Sequence, residues 1–187
     1  MNEPLICLTG ALRQVALAAA ILATNTVSMV MAQPNPIPSS AQRDPAIETA
    51  NKAAVRTALD GWMKGNGNAL QTLLSDDIEW TIAGNSAASG TTRGRAELMR
   101  KVLEPFGARF SRSNDRFRPR LIRGIYADGD NVIAHFDGAG TTNDGEPYQN
   151  SYVWILTLRE QKVVRATAFF DSIAFDAMWR RVVPAEP

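Results

Sequence analysis

The sequence predicts an α+β fold in which one curved antiparallel sheet is closed by helices. Two observations predict this class. Apolar residues at helical spacing predict three helices interleaved with one early strand, and four consecutive antiparallel strands follow. Helices segregated to one side of an antiparallel sheet make an α+β fold. Closed by three N-terminal helices, such a sheet would be cone-shaped, and one of its faces would line the interior of the cone.

The first helix is predicted over residues 46–64, where Ile47, Ala54, Ala58 and Trp62 share a stripe. Gly65-Asn66-Gly67 ends it. The later elements are a short helix at 68–74, a strand at 78–82, a loop to residue 92, a helix at 96–106, a strand at 119–128, three further strands, and a helical turn at 175–179.

The last three strands form two hairpins, and the turns set their register. Asp144-Gly145 favours a two-residue turn, because both central residues must tolerate positive φ. Centring this turn pairs Asp137 with Tyr152. A two-residue loop at residues 160–161 pairs Tyr152 with Phe169 in turn. Both hairpins then bring one set of polar and aromatic residues to the same face: His135, Asp137, Asn150, Tyr152, Trp154 and Asp171.

The other face of these strands is predicted to be mostly apolar. It carries Ala134, Phe136, Val153, Ile155, Ala166, Ala168 and Phe170. Such a face must be covered by other elements of the chain or by a second copy of it. The polar and aromatic face has the composition of a ligand cavity.

The N-terminal residues have the features of a secretory signal. In residues 1–32, Arg13 precedes an apolar run from Val15 to Ala23, and Val30-Met31-Ala32 provides a cleavage site before Gln33. The alternative is a retained membrane anchor, but the run is shorter than the roughly 20 residues that span a bilayer. We therefore expect a periplasmic or secreted protein with no membrane association after cleavage.

Beyond the signal, the composition predicts a disordered linker at residues 33–45, one domain at 46–180 and a tail at 181–187. The net charge of +1 gives no electrostatic case for binding nucleic acid. Arginines from Arg109 to Arg123 form a local basic run that is typical of a solvated strand and loop. Cys7 is the single cysteine, so the mature chain would hold no disulfide or thiolate nucleophile.

An ordered set of short motifs resembles the nuclear-transport-factor-2-like superfamily, in its SnoaL-like and ketosteroid-isomerase-like branch. The set covers about residues 46–177. It comprises Trp62, residues 73–80 (LLSDDIEW), Gly84, Gly90, Arg93-Gly94, Asp128-Gly129-Asp130, residues 145–154 (GEPYQNSYVW) and Phe170-Asp171-Ser172. The resemblance implies a conical α+β barrel of the cystatin-like roll type. It also implies a deep cavity for a small apolar molecule and, often, a homodimer formed through the convex sheet face.

The family's chemistry carries over only in part. Ketosteroid isomerases use an aspartate base near the end of the first strand, whereas residues 80–84 here contain no carboxylate. Limonene-epoxide-hydrolase-like members use an Asp-Arg-Asp set, which His135-x-Asp137 and Asp171 match with histidine in place of arginine. The water-holding Tyr and Asn of those enzymes fall near Trp80 and Ile82. SnoaL-like cyclases depend on an acid/base aspartate, a role open to Asp171 or Asp137.

The resulting hypothesis is acid/base catalysis of the epoxide hydrolase, cyclase or isomerase type, with Asp171 as the main group and Asp137 and His135 assisting. Burial among aromatics would raise the pKa of such a carboxyl and suit it to that role near neutral pH. The expected substrate-binding residues are Asn150, Tyr152, Trp154, Phe169, Trp80 and Trp62. No cofactor is expected, and no metal, because one histidine and two spaced aspartates do not make a ligand set.

Two alternatives stay open at the level of sequence. Asp171 is either an acid/base group or a structural carboxylate bonded to Asn150 or a backbone amide. The protein is either an enzyme or a non-catalytic periplasmic protein that uses the same cavity to bind an apolar ligand.

Overall fold

The computed structural model describes residues 44–185, which lie in one compact unit. The predicted signal peptide and the predicted linker up to residue 43 lie outside the described residues. Within the described part of the chain, no helix is both long enough and apolar enough to cross a membrane.

Helix α1 spans Pro45–Met63 and begins at a side-chain cap. Asp44 Oδ1 accepts a hydrogen bond from the Ala46 N–H at 2.9 Å, and proline suits the first helical position. Asp44 and Pro45, which the sequence predicts as linker, therefore start the helix. Gly65, with φ of 93°, follows the end of α1. The short α2 spans Ala69–Leu73.

The predicted third helix is a helical segment of three parts. It consists of α3 (Arg95–Leu98), a π-helical turn (Met99–Leu103) and α4 (Glu104–Gly107). The terminal helix α5 spans Ser172–Arg181 and is longer than the predicted helical turn.

Six strands form one sheet in the order β2-β1-β6-β5-β4-β3. Their bounds are β1 Leu74–Ile82, β2 Gly90–Arg93, β3 Arg118–Asp128, β4 Asn131–Thr141, β5 Pro147–Arg159 and β6 Lys162–Phe170. The curved sheet with helices on one face confirms the predicted α+β cone. The sheet is mixed, because β1 pairs in parallel with β6. The β2 strand lies in the region predicted as a loop.

The predicted register of the first hairpin is wrong by one residue. Asp137 pairs with Ser151 and Phe136 with Tyr152. The Thr142 N–H donates to the Glu146 carbonyl at 2.9 Å, so three residues form the loop, and Gly145 takes φ of 88°. A three-residue loop with glycine in the left-handed region is the next most common solution for such a sequence.

The second hairpin has the predicted turn but not the predicted pairing beyond it. Arg159 pairs with Lys162 across Glu160 and Gln161, both of which have positive φ. An irregularity between Thr157 and Leu158 then shifts the register, so Tyr152 pairs with Phe170 rather than Phe169. A β-bulge of this kind leaves no clear signature in the turn sequence.

The two one-residue shifts divide the predicted polar and aromatic face between both sides of the sheet. Tyr152 and Trp154 are buried on the inner side of the sheet. The same side carries Ala134, Phe136 and Ala168, which the sequence predicts on the opposite face. His135 and Asp137 lie on the outer side with Val153, Ile155 and Phe169. Side chains alternate along a strand, so each slip moves a whole set to the other face.

Two glycines of β4 permit a close crossing of the chain. A Cβ on Gly140 would lie 2.6 Å from the Phe117 backbone nitrogen, and one on Gly138 would lie 2.3 Å from the Phe117 ring. Only glycine fits at this distance, so residue 117 can place its ring in the interior of the cone. Phe117 is buried there against Trp62 and Phe106.

Candidate functional site

A small apolar cavity lies between the inner face of the sheet and the helices. Its volume is about 70 Å³. Its walls are aromatic and aliphatic side chains from the helical segments, from β1, β5 and β6, and from residue 117: Trp62, Leu70, Trp80, Ile82, Val102, Leu103, Phe106, Phe117, Tyr152, Trp154, Ala168, Phe170 and Phe175.

Aromatic rings occupy most of the space that the cone encloses. Trp154 stacks on Trp62 at 6.2 Å between centroids and meets the edge of Trp80 at 5.2 Å. Phe136 stacks on Tyr152 at 5.2 Å. An apolar cavity of roughly 150 Å³ accommodates a benzene molecule, so this one is smaller than a single ring requires.

The polar part of the interior is a chain of hydrogen bonds along β5. The Asn150 amide donates to the Tyr148 hydroxyl at 3.0 Å, and the hydroxyls of Tyr148 and Tyr152 are 3.0 Å apart. The three residues are between 5% and 8% exposed. Alternate residues of one strand share a face, which explains why these side chains meet.

Asn150 is held in one orientation by the backbone of Asp171. Its Oδ1 accepts from the Asp171 N–H at 3.0 Å, and its Nδ2 donates to the Asp171 carbonyl at 2.9 Å. This paired contact fixes which end of the amide faces Tyr148. Tyr148 is therefore an acceptor toward Asn150.

The hydroxyls of Tyr148 and Tyr152 carry two protons, but the described residues offer an acceptor for only one of them. Only one proton can occupy the bond between the hydroxyls. The other has no acceptor among the described residues. Because Tyr148 already accepts from Asn150, the cooperative arrangement has Tyr148 donating to Tyr152. Tyr152, which lines the cavity, is then the group with a proton to spare.

Burial keeps both phenols in their neutral form. It raises the pKa of Tyr148, while the hydrogen bonds of Tyr148 with Tyr152 and Asn150 act in the opposite direction. Burial also raises the pKa of Tyr152 well above the ordinary value for tyrosine, and the neighbouring Tyr148 adds to the effect. Tyr152 is thus a hydrogen-bond donor at neutral pH.

Asp137 and His135 belong to a separate cluster on the outer face. Arg123 Nη2 lies 2.6 Å from Asp137 Oδ2, and the Ser151 hydroxyl donates to Asp137 Oδ1 at 2.8 Å. His135 Nε2 lies 3.2 Å from Ser151 Oγ. Since Ser151 gives its one proton to Asp137, His135 must donate in this contact. The histidine is not placed to act as a base toward Ser151.

The Arg123 hydrogen bond holds the pKa of Asp137 below its usual range, and the Ser151 hydrogen bond adds to this. A carboxyl that is ionised so readily is a weak general acid at neutral pH. Its surroundings are the opposite of the aromatic enclosure that the sequence predicts.

Asp171 caps the terminal helix. Its Oδ1 accepts from the backbone N–H groups of Ile173 at 2.9 Å and Ala174 at 3.2 Å. This is the contact expected of an aspartate at a helix N-terminus. Asp171 therefore makes the backbone-amide contact that the structural alternative describes.

An open groove on the outer surface nevertheless brings both aspartates to one place. It has a volume of about 590 Å³. Its lining residues come from β3, β4, β5 and the start of α5: Arg120, Asp137, Gly138, Ala139, Gln149, Asn150, Ser151 and Asp171. His135 is not among them.

The residues predicted from the sequence thus divide into three groups. Trp62, Trp80, Tyr152 and Trp154 line the inner cavity, and the buried Asn150 bonds to Tyr148 and also lines the outer groove. Asp137 and Asp171 line the outer groove. His135 and Phe169 lie on the outer sheet face, where Phe169 is 44% exposed. The predicted catalytic roles of Asp171, Asp137 and His135 stay predictions.

Sequence reasoning missed Tyr148 as a residue of the candidate site. Its signal was present, because Tyr148, Asn150, Tyr152 and Trp154 alternate along one strand. Phe106, Phe117 and Phe175 were also missed, and the sequence offers no pattern that joins such distant positions.

Across residues 44–185, no three histidine, cysteine, aspartate or glutamate side chains come together in a way that could hold a metal ion.

Solved structures of similar fold include several proteins that this chain covers almost completely. A Xanthomonas campestris protein of unknown function with a cystatin-like fold is 26% identical, with a TM-score of 0.56 over 69% of this chain and 97% of that chain. A putative SnoaL-like polyketide cyclase from Jannaschia is 20% identical, with a TM-score of 0.57 over 78% and 98%. A protein from a soil-derived mobile gene cassette is 18% identical, with a TM-score of 0.59 over 71% and 98%.

No curated protein matches the sequence significantly. The profile of the SnoaL-like domain family matches residues 55–166, which is more than half of the 187-residue chain. This match includes β1 to β5, the first part of β6 and most of the residues that line the cavity, and it agrees with the fold of the solved structures. The chain therefore belongs to the SnoaL-like domain family of the nuclear-transport-factor-2-like superfamily.

Proposed function

We propose that this protein binds a small apolar molecule that carries a hydrogen-bond-accepting oxygen, such as the carbonyl of an aryl ketone. The observation that carries the proposal is the spare phenolic proton of Tyr152 in an otherwise apolar cavity. A buried donor without an acceptor is costly, so a ligand oxygen that accepts from it gains affinity. The aromatic walls supply the contacts for a flat ring.

The composition of the cavity favours binding over acid/base catalysis at this site. Its lining residues include no carboxylate, histidine or lysine within the described part of the chain. Tyr152 can polarise a carbonyl, but its raised pKa makes it a poor base. The non-catalytic alternative is therefore the better supported of the two sequence hypotheses.

The small volume of the cavity sets a condition on this proposal. Ligand cavities usually have volumes of about 300–1,000 Å³. A bound ring must therefore displace some of the side chains that now fill the cone. Rotamer changes of this kind on binding are common.

Identification of the molecule that copurifies with the protein tests the proposal. We expect mass spectrometry of a denatured extract to find a small apolar compound with an acceptor oxygen. The Tyr152→Phe variant should retain less of it, whereas Tyr126→Phe, at an exposed position on the outer face, should retain as much as the wild type. Equal retention by the wild type and Tyr152→Phe would contradict the role of the phenol.

A second candidate is catalysis in the outer groove. The observation in its favour is that Asp137, Asp171 and Arg120 line the same open space. Asp171→Asn tests it, because asparagine also caps helices and removes only the ionisable group. Loss of turnover of epoxides, polyketide-like ketones or enones with unchanged ligand affinity would support an enzyme. Absence of turnover in the wild-type protein would contradict catalysis in the outer groove.

We also propose that the protein is exported and that it forms a homodimer. The signal-like features of residues 1–32 support export to the periplasm or beyond. Support for the dimer comes from an apolar patch on the outer sheet face, formed by Leu121, Tyr126, Ile133, Ile155 and Phe169, each at least 40% exposed. Contiguous apolar surface of this kind commonly marks an interface.

A further inference from the structure

A groove on the helical side of the molecule adjoins the inner cavity. It has a volume of about 330 Å³. Five residues line both spaces: Trp62, Leu70, Leu103, Phe106 and Phe117. We call this groove the vestibule, because it shares this wall with the cavity.

The shared wall contains the part of the helical segment with the least regular backbone. Leu103 ends the π-helical turn Met99–Leu103, and Phe106 lies in the four-residue α4 that follows. π-helical turns are uncommon and often occur at functional sites. Leu103 and Phe106 are only partly buried, whereas Trp80, Tyr152 and Trp154 on the sheet side of the cavity are buried. The part of the shared wall that Leu103 and Phe106 form is thus less enclosed than these three rings.

Arg116, in the vestibule, is the one charged side chain among residues 44–185 that lines either of the two spaces. Its Nη2 donates to the Ser111 carbonyl at 3.3 Å, and it forms no ion pair with a described carboxylate. The neighbouring Asp115 is engaged by Arg118 and Arg120 instead. A guanidinium with donors to spare is suited to a carboxylate.

From these contacts we infer that the ligand is an amphipathic anion: an apolar body enters through the vestibule and an acidic group stays at Arg116. The inference rests on the proposed function, because it names the class of molecule that the cavity binds. The cavity has a volume of about 70 Å³ and the vestibule one of about 330 Å³, so their combined volume lies in the range of ordinary ligand sites. The apolar body displaces the shared wall, and the acid remains at the solvent edge.

A pair of probes that differ only in charge tests the inference. The probes are 4-oxo-4-phenylbutanoate and its methyl ester, with affinities measured by quenching of tryptophan fluorescence in the wild-type protein, Arg116→Gln and Arg112→Gln. Arg112 is exposed and does not line the vestibule, so it serves as the matched control. We expect Arg116→Gln to weaken binding of the acid by about threefold to tenfold and to leave the ester unchanged. Arg116→Lys should restore part of the loss.

The route is tested by filling the vestibule. Gly107 lines it, and a Cβ at this position would meet no atom within 4 Å other than its chain neighbours and its own helix backbone. Gly107→Trp, compared with Gly107→Ala and checked for folding by circular dichroism, should slow the association of both probes in stopped-flow measurements. An unchanged association rate would overturn the vestibule as the entrance.

The remaining outcomes separate this inference from the proposed function. Equal loss of acid and ester affinity in Arg116→Gln, or an equal loss of acid affinity in Arg112→Gln, would overturn the assignment of Arg116. If Tyr152→Phe leaves ester binding unchanged, the proposed function fails, while the ratio of acid to ester affinity still decides the role of Arg116. A wild-type protein that binds neither probe would contradict both.

Discussion

At the scale of single residues, Asn150 connects the folded backbone to the interior of the cone. Its carbonyl oxygen and both of its amide protons are in use, two of them on the backbone of Asp171. Buried polar groups are stabilising only when they are satisfied in this way. Among residues 44–185, one phenolic proton of the tyrosine pair is the group of this network that has no acceptor.

Asn150→Ala is expected to destabilise the protein by about 2–3 kcal/mol, because it leaves the Asp171 amide, the Asp171 carbonyl and Tyr148 without their partner. Urea unfolding measures the effect. Asn114→Ala, at an exposed position, provides the control and should change the free energy of unfolding by less than about 0.5 kcal/mol. Equal effects of the two substitutions would show that the amide network contributes little.

The raised pKa values of Tyr148 and Tyr152 predict a loss of stability in alkali. Below pH of about 10, the tyrosines are protonated in the folded and unfolded states, and the contribution is complete. Above it, the unfolded state releases protons that the folded state retains, so stability falls by about 1.4 kcal/mol per pH unit for each group. Unfolding free energies between pH 8 and 11 should decline less steeply in Tyr152→Phe. Identical slopes would contradict the burial of an ionisable phenol.

At the scale of elements, the sequence predicted which segments form helices and strands better than it predicted their pairing. Asp144-Gly145 correctly indicated a turn, but the same dipeptide suits a two-residue and a three-residue loop. The bulge after Thr157 and the parallel pairing of β1 with β6 depend on packing across the whole sheet. Local sequence carries no signal for either, so the predicted face mixed residues that belong to opposite sides.

The same scale explains why the site was only partly predictable. Trp62, Trp80, Tyr152 and Trp154 were found because large aromatic residues on periodic elements tend to face an interior. The predicted pairing places Asp171 in the cavity because it extends β6 by one residue. In the structure β6 ends at Phe170, and Asp171 begins the next helix.

The role of Asp171 as a helix cap predicts a difference between two substitutions. Asp171→Ala should cost about 0.5–2 kcal/mol of unfolding free energy, whereas Asp171→Asn should cost a few tenths, because asparagine keeps a side-chain acceptor for Ile173 and Ala174. Thermal and urea unfolding of both variants measure this. A large loss in Asp171→Asn would indicate that the negative charge itself matters.

At the scale of the whole molecule, the cone has two faces of different character. The inner face packs against helices and closes around the aromatic cavity, while the outer face exposes an apolar patch beside the Arg123 and Asp137 ion pair. The predicted α+β cone and the family are confirmed. The residues that line the cavity could be identified only from the structure, because residues as far apart in the sequence as Trp62 and Phe175 contribute to its wall.

The outer patch predicts a dimer that a single charge disrupts. Ile155→Asp should convert the protein to a monomer at micromolar concentration in light scattering, because an unpaired carboxylate in an apolar interface is costly. Ile173→Asp is the matched control, since Ile173 is exposed on α5 rather than on the sheet. A wild-type monomer would rule out the patch as an interface at that concentration.

The central claim is that Tyr152 donates a hydrogen bond to a ligand in the apolar cavity. The most direct measurement is a cycle of four affinities: acetophenone and ethylbenzene, each titrated into the wild-type protein and Tyr152→Phe. We predict that the affinity of the ketone relative to the hydrocarbon falls by about twofold to tenfold when the hydroxyl is removed. A ratio that is the same in both proteins would contradict the claim.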